Sequence, residues 1–216
     1  MQLRERDDVF TVGQPAGRIQ LERGLQAVRN LVVLLQLGIH DTRLQRRDGR
    51  AQVVGAALER HALVDVQASA GEALLLSTQP GVSYSEHNLS KDKPLTRMQL
   101  WLDACPQREN ACVQKATLGT GKHQLLASPD GEQGSLHLRQ QVWVHHVELQ
   151  QGESLSFQLH GPRAYLQSIH GRFHAVTSGA EKEALTCGDG AFIRDETNIT
   201  LVADTPLRAL LIDLPV

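Results

Sequence analysis

The chain is short of the features that would tie it to nucleic acid, a membrane or an oxidising compartment. Lys and Arg number 22 against 24 Asp and Glu, a net charge of −2. No basic excess is available to displace counterions from a phosphate backbone, so no nucleic-acid partner is expected. The longest apolar run, Leu31-Val32-Val33-Leu34-Leu35, is far below the roughly 20 residues a bilayer-spanning helix needs. The first residues, Met1 to Asp8, are charged and lead into no apolar signal core. The three cysteines, an odd number with no paired spacing, form no disulfide framework. These absences predict a reduced, cytoplasmic protein without a membrane partner, and we expect a monomer. Phosphate-loop chemistry is missing as well: Gly119-Thr120-Gly121-Lys122 lacks the required spacing and the following Ser or Thr. No Ser-His-Asp or Cys-His arrangement stands in a recognisable context.

A further scarcity is local. Residues 1–65 contain ten Arg but no Lys, no Trp and no Tyr, and a single Phe, Phe10; all five Lys, both Trp and both Tyr come later. Such a shift marks a boundary, and we divide the chain into residues 1–65, 66–118 and 119–216. In the first part, Leu21, Leu25, Val28, Val32 and Leu35 recur at alternating spacings of four and three. That pattern predicts a helix, with Gly17 and Gly38 near its ends. His40 to Arg50 reads as loop, and Gln52 to Leu58 is open between helix and strand.

After residue 65 the period becomes two. Glu72 to Ser77 is a short apolar run between Gly71 and Pro80. Met98, Leu100 and Leu102 alternate with Gln99, Trp101 and Asp103, and the same alternation recurs at Leu136/Leu138, Leu155/Phe157/Leu159, Phe173/Ala175 and Leu210/Ile212/Leu214. Turn signals separate these runs: Ser128-Pro129-Asp130-Gly131, Gln151-Gly152-Glu153 and Cys187-Gly188-Asp189-Gly190. Many short strands with such turns predict an all-β sandwich or barrel.

Three stretches carry a resemblance. Ala70 to Glu86, which includes Gly71-Glu72 and Tyr84-Ser85-Glu86, is similar to the end of the first barrel of pirins. Lys93 to Leu102 resembles the strand leading out of that barrel. The remainder, through Gln141 to His146, Leu159 to Tyr165 and Cys187 to Gly190, resembles the second barrel. The resemblance covers residues 66–216 and implies a bicupin, two cupin β-barrels in one chain. For some members it also implies a metal-dependent dioxygenase of the quercetin 2,3-dioxygenase type.

The departures bear on that chemistry. Metal-binding pirins take two His from the early part of the first barrel, and a third His and a Glu from the turn that here reads Tyr84-Ser85-Glu86. Glu86 holds the Glu position, but Tyr84 stands where the His would be. A phenol ligates as phenolate, with an ordinary pKa of about 10. His87 follows Glu86 and points to the other face if strand pairing continues. In residues 1–65, His40 and His61 stand alone, with no His-x-His. That part does not resemble a pirin first half, so the first barrel is expected to be incomplete. We read residues 1–65 as arising from a shifted or rearranged reading frame. No metal cofactor is expected; a divalent transition metal held through Glu86, Tyr84 or His160 is the alternative.

His145 and His146 are adjacent on a strand and face opposite ways; His145 shares its face with Trp143, Val147 and Leu149 and reads as a core histidine. His160, His170 and His174 lie close in sequence, with His170-Gly171 at an expected hairpin turn, and read as solvated or core groups. Among the thiols, Cys105 precedes Pro106 at a strand end, with Arg108 and Lys115 nearby in sequence to favour the thiolate, and is the redox candidate. Cys112 and Cys187 read as inert. The expected function is a pirin-like cupin without a complete metal site that senses oxidants or binds a small molecule; the alternative is the metal-dependent dioxygenase.

Overall fold

The computed structural model describes residues 19–21, 32–38, 52–59, 62–77, 84–88, 97–103 and 112–215. Among these, the only helical element is a 3₁₀ turn at Glu132–Gly134. The strands begin with β1 (Ile19–Leu21), β2 (Val32–Gly38), β3 (Gln52–Glu59), β4 (Ala62–Ala68), β5 (Glu72–Ser77) and β6 (Tyr84–Asn88). β7 (Arg97–Asp103), β8 (Cys112–Thr117), β9 (His123–Ser128), β10 (Leu136–His137), β11 (Trp143–Leu149) and β12 (Ser154–Gln158) follow. The chain ends with β13 (Arg163–His170), β14 (Phe173–Thr177), β15 (Lys182–Leu185), β16 (Gly190–Arg194), β17 (Asn198–Ala203) and β18 (Leu207–Leu214). They fall into two compact units: residues 28–119 with 126–141, and residues 1–27 with 120–125 and 142–216.

The unit of residues 28–119 and 126–141 has one sheet in the order β7-β2-β5-β8 and another in the order β4-β3-β6. Leu74 and Leu76 of β5 are buried against Val66 and Ala68 of β4 and Val113 of β8. Ala73 and Leu75, on the other face of β5, are buried too. A strand covered on both faces reads as the unbroken apolar run seen at Glu72–Ser77.

Here the structure corrects the sequence reading. The expected helix does not form over its described part: Val32–Gly38 is β2, paired antiparallel with β5 on one side and β7 on the other. A short apolar run suits a helix turn and a two-sided strand equally, and pairing with two neighbours decides for the strand. Leu21 ends β1, and Leu25 and Val28 lie outside the described residues. Gln52 to Leu58, left open above, lies in β3 (Gln52–Glu59). Residues 32–68 thus supply three strands, β2, β3 and β4, and the compositional change at residue 65 falls inside β4.

In the other unit, a sheet ordered β1-β16-β13-β18-β11-β9 faces a four-stranded sheet ordered β12-β17-β14-β15. The first contributes Val147, Leu149, Ala164, Leu166, Ile193, Leu207 and Leu211 to the core. The second contributes Phe157, Phe173, Leu185, Ile199 and Leu201. The expected alternation therefore holds, with Phe157 and Leu159, and then Phe173 and Ala175, buried between the sheets. β18 exceeds it: Leu210 and Ile212 are buried as well as Leu207, Ala209 and Leu211 on the opposite face. The turn after His170 is not a hairpin. Gly171 and Arg172 carry the chain from β13 in one sheet to β14 in the facing one. Gly171 sits at φ 86, and a Cβ there would lie 2.1 Å from the Pro206 carbonyl oxygen, so only glycine fits.

Candidate functional site

Chemistry-bearing side chains gather at one end of this facing-sheet unit. Trp143, His145, Val147 and Leu149 alternate onto the inner face of β11, and Trp143 stands directly opposite Asp213 of β18. Asp213 is fully buried. Its Oδ2 accepts two hydrogen bonds from His160, in the connection between β12 and β13: from the backbone N–H at 2.8 Å and from Nδ1 at 2.7 Å. An ionised carboxylate only accepts, so the ring carries its proton on Nδ1, and Nε2 is left facing away from Asp213. Trp143 stacks on the His160 ring, with centroids 3.8 Å apart and planes within 9°. Gly161 fixes the turn from the other side: a Cβ at this position would fall 2.3 Å from Pro215 Cα. The His160 side chain remains 45% exposed.

Beside this pair lies a second one. His123 Nε2 and His145 Nδ1 are 2.9 Å apart, so one ring donates and the other accepts. Phe157 meets His123 edge-on at 5.2 Å and lies 5.4 Å from His145. Burial pushes His145 down to about 4, helped by the neighbouring His123 and His160. Burial also lowers His123. His146, on the opposite face of β11, is 1% exposed, and neither ring nitrogen has a hydrogen-bond partner among the described residues. Burial, then the adjacent Arg208, pushes it down to about 4.

The remaining candidates are dispersed. His174 pairs with Asp204, its Nδ1 2.8 Å from Oδ2. His170 ends β13 opposite Arg208. The three histidines grouped by sequence therefore have separate surroundings. The stretch Arg194–Ile199 holds a buried carboxylate, Glu196, which accepts hydrogen bonds from the Ser178 backbone N–H and hydroxyl and so anchors the turn after β14. Cys112 is half-buried and Cys187 exposed, its Sγ donating to the Ile169 carbonyl at 3.0 Å. Cys105 lies outside the described residues, as do His40 and His61.

Comparison with known proteins places this geometry in a family. The signature of the quercetinase C-terminal cupin domain matches residues 125–214. Pirin-like protein YhaK of Escherichia coli strain K12 is 82% identical over 151 residues, 70% of this chain and 65% of that protein. The crystal structure of YhaK from Escherichia coli superposes with a TM-score of 0.77 at 58% identity, covering 96% of this chain and 92% of that one. The chain belongs to the pirin family. A more distant relative, quercetin 2,3-dioxygenase of Escherichia coli O157:H7, is 31% identical over 154 residues, 69% of this pirin and 63% of that enzyme. The sequence matches thus span just under two thirds of the curated relatives' length.

The pirin's donor set can be tested against the metal that the family implies. Tyr84 and Glu86 lie in β6, a strand and not the turn expected from the resemblance. They stand opposite Ala56 and Val54 of β3, neither of which offers a ligand atom. Between the facing sheets of the other unit, the core is filled by Leu, Ile, Val, Phe and Ala, with Trp143 and His145 continuing the inner face of β11 at its end. Among the described residues, no group of three or more His, Cys, Asp or Glu could hold a metal ion. Of the donors the resemblance assigns to the first barrel, Glu86 and Tyr84 supply one carboxylate and one phenol, and among the described residues nothing completes with them the three or four nitrogen and oxygen ligands of a transition-metal centre. No helix among the described residues is long and apolar enough to cross a membrane.

Sequence reasoning named His160 and His145 but missed Asp213, Trp143 and His123 as their partners. Asp213 is 53 positions from His160, and only the pairing of β18 with β11 and β13 brings it there. A lone acid inside an apolar closing strand, Leu210-Leu211-Ile212-Asp213-Leu214, was the available signal, because a buried charge requires a partner.

Proposed function

We propose that this pirin is a monomeric, cytoplasmic small-molecule-binding bicupin that works without a transition-metal centre, its ligand site at the histidine-bearing end of the second barrel. One observation carries the reading: a fully buried Asp213 holds the half-exposed ring of His160, which is stacked on Trp143. Aromatic faces with a few convergent polar groups are what small-molecule sites present. The loss of metal donors at Tyr84 supports the same reading.

The second reading, metal-dependent quercetin 2,3-dioxygenation, is favoured by what the 31% identical relative is called. Incubating the purified chain with Fe(II), Ni(II), Cu(II) or Zn(II) and following quercetin by absorbance separates the two. The proposal expects no consumption above metal-only controls; saturable turnover abolished by Glu86→Ala would establish the dioxygenase instead.

A redox role for Cys105 is a separate proposal, resting on its sequence context. Peptide mass mapping after peroxide treatment, with exposed Cys187 as internal reference, should show the greater modification at Cys105. Equal modification would end the sensor reading.

A further inference from the structure

We propose that the His160–Asp213 pair is a metal-independent general base that hydrolyses small neutral acyl esters. This rests on placing the ligand site at this end of the barrel, and adds a reaction to it. The arrangement has the parts such a base needs. Asp213 is fully buried, and Oδ2 holds both the backbone N–H and the Nδ1–H of His160. Its other oxygen, Oδ1, is buried with no hydrogen-bond partner among the described residues, so the carboxylate's protein partners there are concentrated on His160. Fixing Nδ1–H as the donor presents the Nε2 lone pair, and the 45% exposure of the side chain keeps the ring within reach of solvent. The Trp143 stack and the close approach of Gly161 to Pro215 hold the ring in one orientation. Catalytic groups require such restraint, because small misplacements cost rate.

The electrostatics select the substrate class. The carboxylate places a negative charge behind the ring. Lys122, next in sequence to His123, is engaged by Glu153 at 2.9 Å. At the ring itself the carboxylate favours neutral acyl compounds over anionic ones, and Trp143 supplies an apolar face beside it. In the reaction, Nε2 takes a proton from a water molecule as the water oxygen bonds to the acyl carbon. The bond from that carbon to the leaving oxygen breaks. The proton passes from Nε2 to the leaving oxygen, giving acid and alcohol, with nothing oxidised or reduced. Asp213 is a positioning residue: it keeps Nδ1–H in place and takes no proton.

The test uses the full chain with p-nitrophenyl acetate as probe, with and without EDTA. Expected is hydrolysis at least about tenfold above an equal concentration of free N-acetylhistidine amide, a conservative share of what positioned acid–base catalysis supplies. The excess should be insensitive to EDTA, lost in His160→Gln and retained in His170→Gln. Asp213→Asn should lower kcat, expressed per folded chain with the folded fraction measured by circular dichroism, with little change in KM. No excess over the free amide, or an excess that persists in His160→Gln, overturns the dyad while leaving ligand binding at this end intact. An excess abolished by EDTA overturns both the dyad and the metal-free reading. If His160→Gln does not fold, diethyl pyrocarbonate labelling of the unaltered chain decides: faster modification at His160 than at His170 supports the base, and equal or slower modification overturns it.

Discussion

Lowering the pH from 7 to 4 should remove on the order of 6 kcal/mol of folding stability through His145 and His146 together, a large share of the roughly 5–15 kcal/mol that a folded protein possesses. Both rings are buried and pushed from their ordinary 6.5 to about 4. In the unfolded chain they take up a proton near 6.5, whereas the folded chain resists until about 4. Their neutral forms therefore support the fold fully above pH 6.5. That support is lost as the pH falls between 6.5 and 4, at roughly 3 kcal/mol for each ring. His145 meets His123 and His160, and His146 meets Arg208 and Glu148. Glu148 alone among these opposes the shift. Urea unfolding at half-unit pH intervals measures the slope. His146→Leu should halve the loss between pH 6.5 and 4, since it removes one of the two titrating rings while keeping the site buried. A variant with the slope of the unaltered chain would mean that His146 charges without penalty.

Gly161→Ala is expected to cost about 3 kcal/mol, in the upper part of the range for overpacking. The added Cβ would lie 2.3, 2.5 and 2.7 Å from Pro215 Cα, O and C. All three are backbone atoms, so no side chain can swing away. Either the end of the chain after β18 or the His160 turn must move, and both moves separate His160 from Asp213. That would strip a fully buried carboxylate of its two hydrogen bonds, which are worth more than neutral ones because the acceptor is charged. Differential scanning calorimetry gives the loss, and quenching of Trp143 fluorescence by acrylamide reports whether the stack opens. A variant with unchanged melting and quenching would show that the close approach carries no strain.

Much of the second barrel was legible in the sequence. Leu155, Phe157 and Leu159, and again Phe173 and Ala175, announce strands with one covered face, because side chains alternate along a strand. The Gly-bearing turns fall where those runs stop. The first barrel was less legible. Val32 and Leu35 match a helical stripe as well as a strand with neighbours on both sides, and only pairing with Glu72–Ser77 and Arg97–Asp103 decides between them. The candidate site was legible by halves. His160 and His145 stood out as histidines in β context, and Trp143 was correctly placed on the face of His145. Their partners were not deducible, because the contact between Asp213 and His160 depends on strand order, which local periodicity does not encode. His123 was overlooked at the start of a short strand whose register against β11 had no local signal.

Central to the proposed function is that no transition-metal centre forms in this pirin. Elemental analysis of the full chain, purified without chelator from metal-supplemented medium, tests it most directly. The account predicts Fe, Ni, Cu and Zn each below about 0.1 per chain, since one carboxylate and one phenol fall short of the required ligand number. Close to one equivalent of a single metal, retained through dialysis and lost in Glu86→Ala, would contradict it.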